Sequence, residues 1–278
     1  MTMLVGWLGT QGSGPASVYL ASDSRITWGS DGRRWDAGRK LFALRNSPDL
    51  LGYCGDVLIA SQILGQLAET ADHHLLFDAG VPAEKRHERM LRLFEQALSQ
   101  GHRVSPSPFT VVHVARDHAD KHAQFNIWFI HCAAGRLRDE HCGTIDAANA
   151  GNSRRLLALG SGAEAYVDET IRWDASAQGH TSRAYFTALC DVLKRGEDLS
   201  SGGVPQLIGL YRNGNGRSFG IVHEGARHFN GLALSEAEDY SSIEWRDETF
   251  QRINARTLKP VRGAQRQVRP ILPPFGRG

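Results

Sequence analysis

Three polar side chains near the start of the chain are of types that can do chemistry together: Thr2, Asp23 and Lys40. Each lies at the edge of an apolar, strand-like segment. A threonine hydroxyl is a weak nucleophile at neutral pH, and a free α-amine on the same residue can act as its base. Removal of Met1 would give Thr2 such an amine, whose ordinary pKa is about 7.7–8.0. The ammonium of Lys40 would lower that pKa further, and Asp23 would hold the ammonium charged and in place.

Two later segments set polar side chains among glycines. Residues 160–162 read Gly-Ser-Gly, and residues 198–203 read Asp-Leu-Ser-Ser-Gly-Gly. Between them and the start of the chain, Gly55 closes an apolar segment directly before a helical pattern. Its amide would therefore lie at a helix N-terminus, where partial positive charge can stabilise an anion.

Each of these features also has an ordinary structural explanation. Asp23 beside Arg25 suits an ion pair at a strand end. Lys40 lies on a strand predicted over 35–44 and suits its solvated face. Ser161 suits a helix N-cap, and residues 198–203 suit a polar turn between a helix and a strand. Gly-Ser-Gly and similar motifs are common, so only the ordered set of segments indicates a function.

Taken in order, these segments resemble the proteasome β-subunit family of N-terminal nucleophile (Ntn) hydrolases, including its bacterial ring-protease relatives. The resemblance runs over residues 2–235. The segments that carry it are 2–6 (TMLVG), 21–27 (ASDSRIT), 40–42 (KLF), 53–55 (YCG), 160–162 (GSG) and 198–203 (DLSSGG).

The resemblance implies a set of catalytic roles. Thr2 would be the nucleophile, Lys40 would lower the pKa of its amine, and Asp23 would pair with Lys40. The amide of Gly55 would stabilise the oxyanion, in a place where a side chain would collide with the substrate backbone. The residues that would orient the terminal amine and a water are Ser161, Asp198 and Ser201.

The resemblance also implies how a substrate would bind. The backbone of Thr27 would pair with an extended peptide by β-addition. Tyr53 and Cys54 would line the specificity pocket, which the bulk of Tyr53 would make shallow. A shallow pocket argues against broad peptide specificity.

The activity implied is that of a threonine-type endopeptidase that works without a cofactor or metal. The implied partners are a peptide or unfolded protein as substrate, further copies in a ring or stacked homo-oligomer, and an ATP-driven unfoldase. Two alternatives stay open: an Ntn amidohydrolase acting on a small amide, and a non-catalytic ring or scaffold subunit. The complete polar set argues against the scaffold, and extended-peptide binding near Thr27 favours the peptidase.

Composition excludes several other classes. The chain has 278 residues, 41% of them hydrophobic and 22% charged, which is ordinary for a globular protein. The net charge of +2 is too small to indicate nucleic-acid binding. No apolar run approaches the roughly 20 residues of a membrane span, and the start lacks the pattern of a signal peptide. The four cysteines form no zinc-binding spacing, and we expect a reducing cytoplasm.

Strand patterns at both ends of the chain and paired helices between them predict an α+β fold. The predicted helices cover 56–67, 82–100, 163–172 and 181–195. The resemblance implies a four-layer αββα sandwich over residues 1–255. Residues 256–278 form a basic, proline-rich C-terminal tail, which we expect to be mobile or to lie across a neighbouring subunit or an acidic partner.

Overall fold

A computed structural model describes residues 2–12, 14–28, 32–101, 107–119, 122–235, 239–266 and 268–274. Met1, whose removal the sequence analysis expects, lies outside these residues. The described residues include four helices: α1 (Leu58–Asp72), α2 (Ala83–Ser99), α3 (Ala163–Asp174) and α4 (Ser182–Arg195).

The same residues form 18 strands. The first nine are β1 (Met3–Gln11), β2 (Gly14–Ser22), β3 (Ile26–Trp28), β4 (Arg33–Trp35), β5 (Leu41–Ala43), β6 (Asp49–Gly55), β7 (Phe109–Ala119), β8 (His122–Ala133) and β9 (Arg136–Ile145). The others are β10 (Arg154–Gly160), β11 (Gln206–Tyr211), β12 (Arg217–Ser218), β13 (Gly220–His223), β14 (Ala226–Phe229), β15 (Leu232–Leu234), β16 (Trp245–Asp247), β17 (Arg252–Asn254) and β18 (Lys259–Pro260).

These strands form four sheets. The β1 sheet has the order β10-β1-β2-β11-β12, and the β7 sheet has the order β5-β6-β7-β8-β9. A six-stranded sheet follows the order β15-β14-β13-β16-β17-β18, and β3 pairs with β4 alone. Among the described residues every pair is antiparallel except β13 with β16.

The alternation of side chains in β1 explains why the β1 sheet is buried on both faces. Met3, Val5 and Trp7 point into one apolar cluster, which the aromatic residues of α3 and α4 complete. Leu4 and Leu8 point the other way, into a cluster shared with the β7 sheet. Since both sets are fully buried, a shift of one residue in register would exchange the two faces.

The helices cover the remaining apolar faces of the two five-stranded sheets. α1 and α2 bury Leu64, Met90 and Phe94 against β6 and β7. α4 begins after Thr181, whose hydroxyl accepts the amide of Ala184. It ends at Gly196, which has a φ of +66°. These caps confirm the helix predicted over 181–195.

The predicted α+β fold with a four-layer αββα sandwich was wrong. Strands hold 38% of the residues and helices 23%, and the 18 strands are divided among four sheets. The six-stranded sheet and the β3–β4 pair have no place in a four-layer scheme. The sequence between residues 217 and 260 contains strands of two to four residues, too short to show the alternation from which strands are predicted.

The C-terminal tail contacts α3 and α4. The guanidinium of Arg183 donates to the carbonyl of Val268 at 2.7 Å, and that of Arg172 donates to the carbonyl of Pro273 at 2.7 Å. Arg269 forms an ion pair with Asp191, a residue of α4. The described part of the tail is thus held by side chains of two helices.

Among the described helices, none has both the length and the apolar character that crossing a membrane requires.

Candidate functional site

Asp23 is a buried carboxylate that accepts four hydrogen bonds directly after β2. Its Oδ1 accepts the Lys40 ammonium at 2.7 Å and the Met3 amide at 2.9 Å. Its Oδ2 accepts the Gly202 amide at 3.0 Å and the Arg25 amide at 3.1 Å. Four donors, one of them an ammonium, thus hold this carboxylate in place.

Asp23 and Arg25 do not form the simple ion pair that their spacing suggests. The guanidinium of Arg25 instead binds both oxygens of Asp36, at 2.7 and 2.8 Å. It also donates to the carbonyl of Ser201 at 3.3 Å. Arg25 therefore connects Asp36, which follows β4, to the loop before β11. The side chain of Asp23 forms its ion pair with Lys40 instead.

Lys40 is fully buried and is not on a strand. The strand predicted over 35–44 is broken, because β4 ends at Trp35 and β5 begins at Leu41. Burial lowers the pKa of Lys40, and the charge and hydrogen bond of Asp23 act against that shift. A lysine with 0% exposure cannot serve as a solvated strand face.

Thr2 is fully buried, and its carbonyl packs against Gly160. A Cβ on Gly160 would lie 1.5 Å from the oxygen of Thr2, so only glycine fits there. Gly160 also has a φ of +94°, which favours glycine again. The amide that follows Thr2, that of Met3, donates to Asp23, so Asp23 holds the peptide unit that joins Thr2 to Met3.

Ser161, Asp198 and Ser201 form a hydrogen-bonded trio. The hydroxyls of Ser161 and Ser201 donate to the same oxygen of Asp198, at 2.6 and 2.7 Å. Burial acts to raise the pKa of Asp198, but these two hydrogen bonds act against it together with the backbone amide of Ser200, and the pKa is lowered. Ser161 is not a helix N-cap, since Gly162 occupies that position before α3.

A closed path of contacts connects these residues. It runs from Thr2 to Asp23 through the Met3 amide, from Asp23 to the Gly202 amide, and from the adjacent Ser201 to Asp198. It continues from Asp198 to Ser161 and returns through Gly160 to Thr2. The fold therefore brings together six residues of the predicted site: Thr2, Asp23, Lys40, Ser161, Asp198 and Ser201.

Gly55 lies at the end of β6, and its need for glycine has a structural cause. Its φ is +105°, and a Cβ there would lie 2.5 Å from the carbonyl oxygen of Pro108. The start of β7 thus excludes a side chain, independently of any substrate. Two residues earlier, the amide of Tyr53 donates to the carbonyl of Lys40 at 3.2 Å, which fixes this end of β6 beside Lys40.

The three predicted substrate-binding residues lie in different surroundings. Thr27 is the middle residue of β3 and pairs with Arg34 on β4. Tyr53 is fully buried in the cluster under α1, and its hydroxyl donates to the carbonyl of Arg39 at 3.1 Å. Cys54 faces the space between the five-stranded sheets, and burial raises the pKa of its thiol to about 11.

Gln206 is a site residue that sequence reasoning missed. It is 2% exposed and begins β11. Its side-chain amide donates to the carbonyls of Asp23 and Gly38, at 3.2 and 2.7 Å, and accepts the amide of Lys40 at 3.1 Å. The available signal was a lone polar residue at the start of an otherwise apolar strand.

The pairing of Arg25 with Asp36 was also missed. A Cβ on Gly202 would lie 2.5 Å from the guanidinium carbon of Arg25, and one on Gly203 would lie 2.8 Å from the Cβ of Asp36. The two glycines therefore make room for the two partners of this ion pair. Within the described part of the chain, no cluster of three or more His, Cys, Asp or Glu is arranged to hold a metal ion.

No protein-family model matches this chain, and no curated protein matches its sequence significantly.

Proposed function

We propose that this chain is a proteasome-like threonine peptidase that cleaves amide bonds through Thr2 after removal of Met1. The observation that supports this proposal best is the closed path of contacts around Thr2. It passes through the backbone of Thr2 and through Asp23, which binds Lys40, and it includes the serine–aspartate–serine trio. These are the groups that an N-terminal nucleophile needs.

In the proposed reaction, the hydroxyl of Thr2 attacks the carbonyl carbon of the substrate and its α-amine takes the hydroxyl proton. The amide C–N bond then breaks, and the departing amine receives that proton. The acyl group remains as an ester on Thr2. A water attacks this ester and gives a proton to the α-amine, which passes it to the departing Thr2 oxygen. A carboxylic acid and the free hydroxyl result.

Lys40 and Asp23 supply the electrostatics of this step. A buried cation near the terminal amine disfavours its protonated form, so more of the amine is available as a base. Asp23 keeps the ammonium in place at 2.7 Å. The amide of Gly55 is the proposed oxyanion donor, and the trio centred on Asp198 is proposed to orient the amine and the hydrolytic water.

The proposal extends to assembly and location, as the resemblance implies. The substrate is a peptide or an unfolded protein, bound as an added strand beside Thr27. The working form is a ring or stacked homo-oligomer in the cytoplasm, with an ATP-driven unfoldase as a further partner. No cofactor takes part.

The decisive experiment is the intact mass of the purified protein with and without a peptide epoxyketone. The expected result is loss of Met1 and one adduct that is absent in Thr2→Ala. Thr10→Ala is the matched control, because that hydroxyl lies in β1 but contacts Ser153 at 3.1 Å. Retained Met1 together with no adduct would overturn the proposal.

One observation favours the alternative of a non-catalytic subunit. Thr2 is 0% exposed, so the hydroxyl cannot meet a substrate in this form of the chain. The mass experiment separates the two functions, since a scaffold would form no adduct. If an adduct forms but peptide libraries are not cut, a small-amide hydrolase becomes the leading function.

A further inference from the structure

Two buried histidines join α2 to the β7 sheet. His87 on α2 is 3% exposed and His113 on β7 is 0% exposed. Their Nδ1 atoms are 2.8 Å apart. The two rings are inclined by only 12°, with centroids 5.1 Å apart. They therefore meet edge to edge through a hydrogen bond between the two Nδ1 atoms.

The outer nitrogen of each ring faces a carboxylate. Nε2 of His113 lies 2.9 Å from Oδ1 of Asp49, and Nε2 of His87 lies 3.0 Å from Oδ1 of Asp139. An ionised carboxylate only accepts hydrogen bonds. Both Nε2 atoms must therefore carry a proton.

The number of protons on the pair follows from these contacts. Two protons lie on the outer nitrogens, and the Nδ1–Nδ1 hydrogen bond requires one more. Three protons on two imidazoles give one neutral ring and one imidazolium. With a fourth proton, two N–H groups would face each other 2.8 Å apart, on rings that are both positively charged. The closed arrangement therefore holds a single shared positive charge.

The surroundings of the pair are compatible with one charge. Arg86 donates to Asp49 at 2.8 Å and offsets part of its negative charge. Trp128 stacks on His87 at 4.4 Å and on His113 at 5.2 Å, which excludes water from one face of both rings. The titratable and charged groups around the pair are Asp49 on β6, Arg86 and Glu88 on α2, and Asp139 and His141 on β9. Arg116 on β7 interacts with Asp49 and Arg86 behind them.

We propose that the His87–His113 pair is an acid-sensitive latch that holds α2 on the β7 sheet while the two rings share one positive charge. Entry of a fourth proton replaces the hydrogen bond by repulsion, and His87 turns toward Asp139 and the solvent. Asp139 is 33% exposed, so the network has a route to water. The latch does not depend on whether Thr2 is a nucleophile.

The pH range follows from the environment of His87. Burial lowers its pKa to about 4, and the charge on His113 adds to this shift. The ordinary pKa of histidine is about 6.5. Between these values the open form binds more protons than the closed form, so the latch weakens as the pH falls.

The test is 15N NMR of histidine-labelled protein combined with hydrogen exchange. At pH 7 we expect a scalar coupling across the hydrogen bond between the two Nδ1 nuclei. It should disappear reversibly as the pH falls toward 4. Over the same range, amide exchange in α2, corrected for the intrinsic rate, should rise at least about tenfold relative to α4. A missing coupling at pH 7, or exchange in α2 that follows α4, would overturn the proposal.

His87→Gln provides the matched variant, because it removes the titrating ring. Its exchange in α2 should change less than about twofold over this pH range. His131→Gln is the control, since His131 is a partly exposed residue of β8 that contacts Thr110; it should behave as the wild type. If His87→Gln keeps the full pH dependence, another group is the switch. If His87→Gln does not fold, the Nδ1–Nδ1 coupling and the amide exchange of α2 in the wild-type protein test the proposal by themselves.

Discussion

The Lys40 ammonium lies 2.7 Å from Oδ1 of Asp23, and both side chains are fully shielded from solvent. A buried ion pair of this kind resists the loss of either partner, because the remaining charge has no water to solvate it. Three backbone amides complete the shell around Asp23. The Lys40–Asp23 pair thus stabilises the fold at the same place where catalysis is proposed.

Replacing Asp23 by Asn should lower the free energy of unfolding by about 3–5 kcal/mol, the usual cost of stranding a buried charge. Urea denaturation measures this loss. Asp36→Asn is the matched control, because Asp36 is 44% exposed in its pair with Arg25, and should cost about 1 kcal/mol or less. Equal losses in the two variants would show that Asp23 does not stabilise the buried charge of Lys40.

Replacing Gln206 by Leu should lower the free energy of unfolding by about 2–4 kcal/mol. It leaves the Lys40 amide and the Gly38 carbonyl without this partner, at roughly 1 kcal/mol or more for each group. The Asp23 carbonyl loses one of two donors and keeps the Ser22 hydroxyl. Gln251→Leu is the control for side-chain size and burial. Gln251 is also buried, but it is its backbone amide that donates to Asp247. A similar loss in both variants would mean that the hydrogen bonds of Gln206 contribute little.

Replacing Gly160 by Ala should displace Thr2. The new Cβ would lie 1.5 Å from the Thr2 carbonyl oxygen, so either β1 or β10 must move. Gly225→Ala is the matched control, because Gly225 has a φ of +78° and no atom within 4 Å of the added Cβ. Thermal melting should show a loss of about 1–2 kcal/mol for Gly225→Ala and a far larger loss for Gly160→Ala. Comparable melting temperatures would contradict the close packing on Thr2.

Local patterns in the sequence predicted the helices and the long strands well, because those elements carry their own signals. Thr181 and Gly196 mark the ends of α4, and the apolar run that Gly55 closes indicates a buried strand, which the structure shows as β6. The fold class could not be predicted in the same way. The short strands from β12 to β18 depend on pairing with one another, and two to four residues show no period.

Residues of the candidate site were predictable where they stand in recognisable motifs, as Asp23 and Ser161 do. The partners of these residues were not. Gln206 donates to Asp23 across 183 residues of chain, and Arg25 pairs with Asp36 across 11 residues that include β3 and β4. No sequence motif marks either contact. Lys40 was expected on a strand and lies between β4 and β5, since tertiary contacts with Asp23 and Gln206 determine its backbone there.

The two serines beside Asp198 should control its titration. Their hydrogen bonds lower the pKa of Asp198 against the effect of burial, so this carboxylate stabilises the fold above its ordinary pKa of about 3.9. That contribution is lost as the pH falls through the lowered folded pKa. In Ser161→Ala and in Ser201→Ala, 13C NMR of the carboxyl should show a higher pKa. Ser200→Ala should leave the pKa of Asp198 unchanged, because Ser200 contributes its backbone amide. An equal rise of the pKa in Ser200→Ala would refute the role of the two hydroxyls.

Replacing Arg269 by Gln should destabilise the protein at neutral pH and not in acid. Burial raises the pKa of Asp191, and Arg269 opposes this shift. A carboxyl with a raised folded pKa disfavours the fold once it ionises, so the loss appears as the pH rises through that value. Urea denaturation at pH 7 should show a loss of about 1 kcal/mol, shrinking below pH 4, with the exposed tail residue Arg266→Gln as control. A pH-independent loss would exclude the ion pair as its cause.

The contacts around Asp23 have a consequence for how the protein is made. Its partner Gly202 lies 179 residues further along the chain, and Gln206 lies 183 residues further. Chains fold as they leave the ribosome, N-terminal parts first. A nascent chain that has reached residue 190 therefore holds Thr2 and Lys40 but neither Asp198 nor Gly202. The candidate site is thus incomplete until the chain has been extended past Gln206.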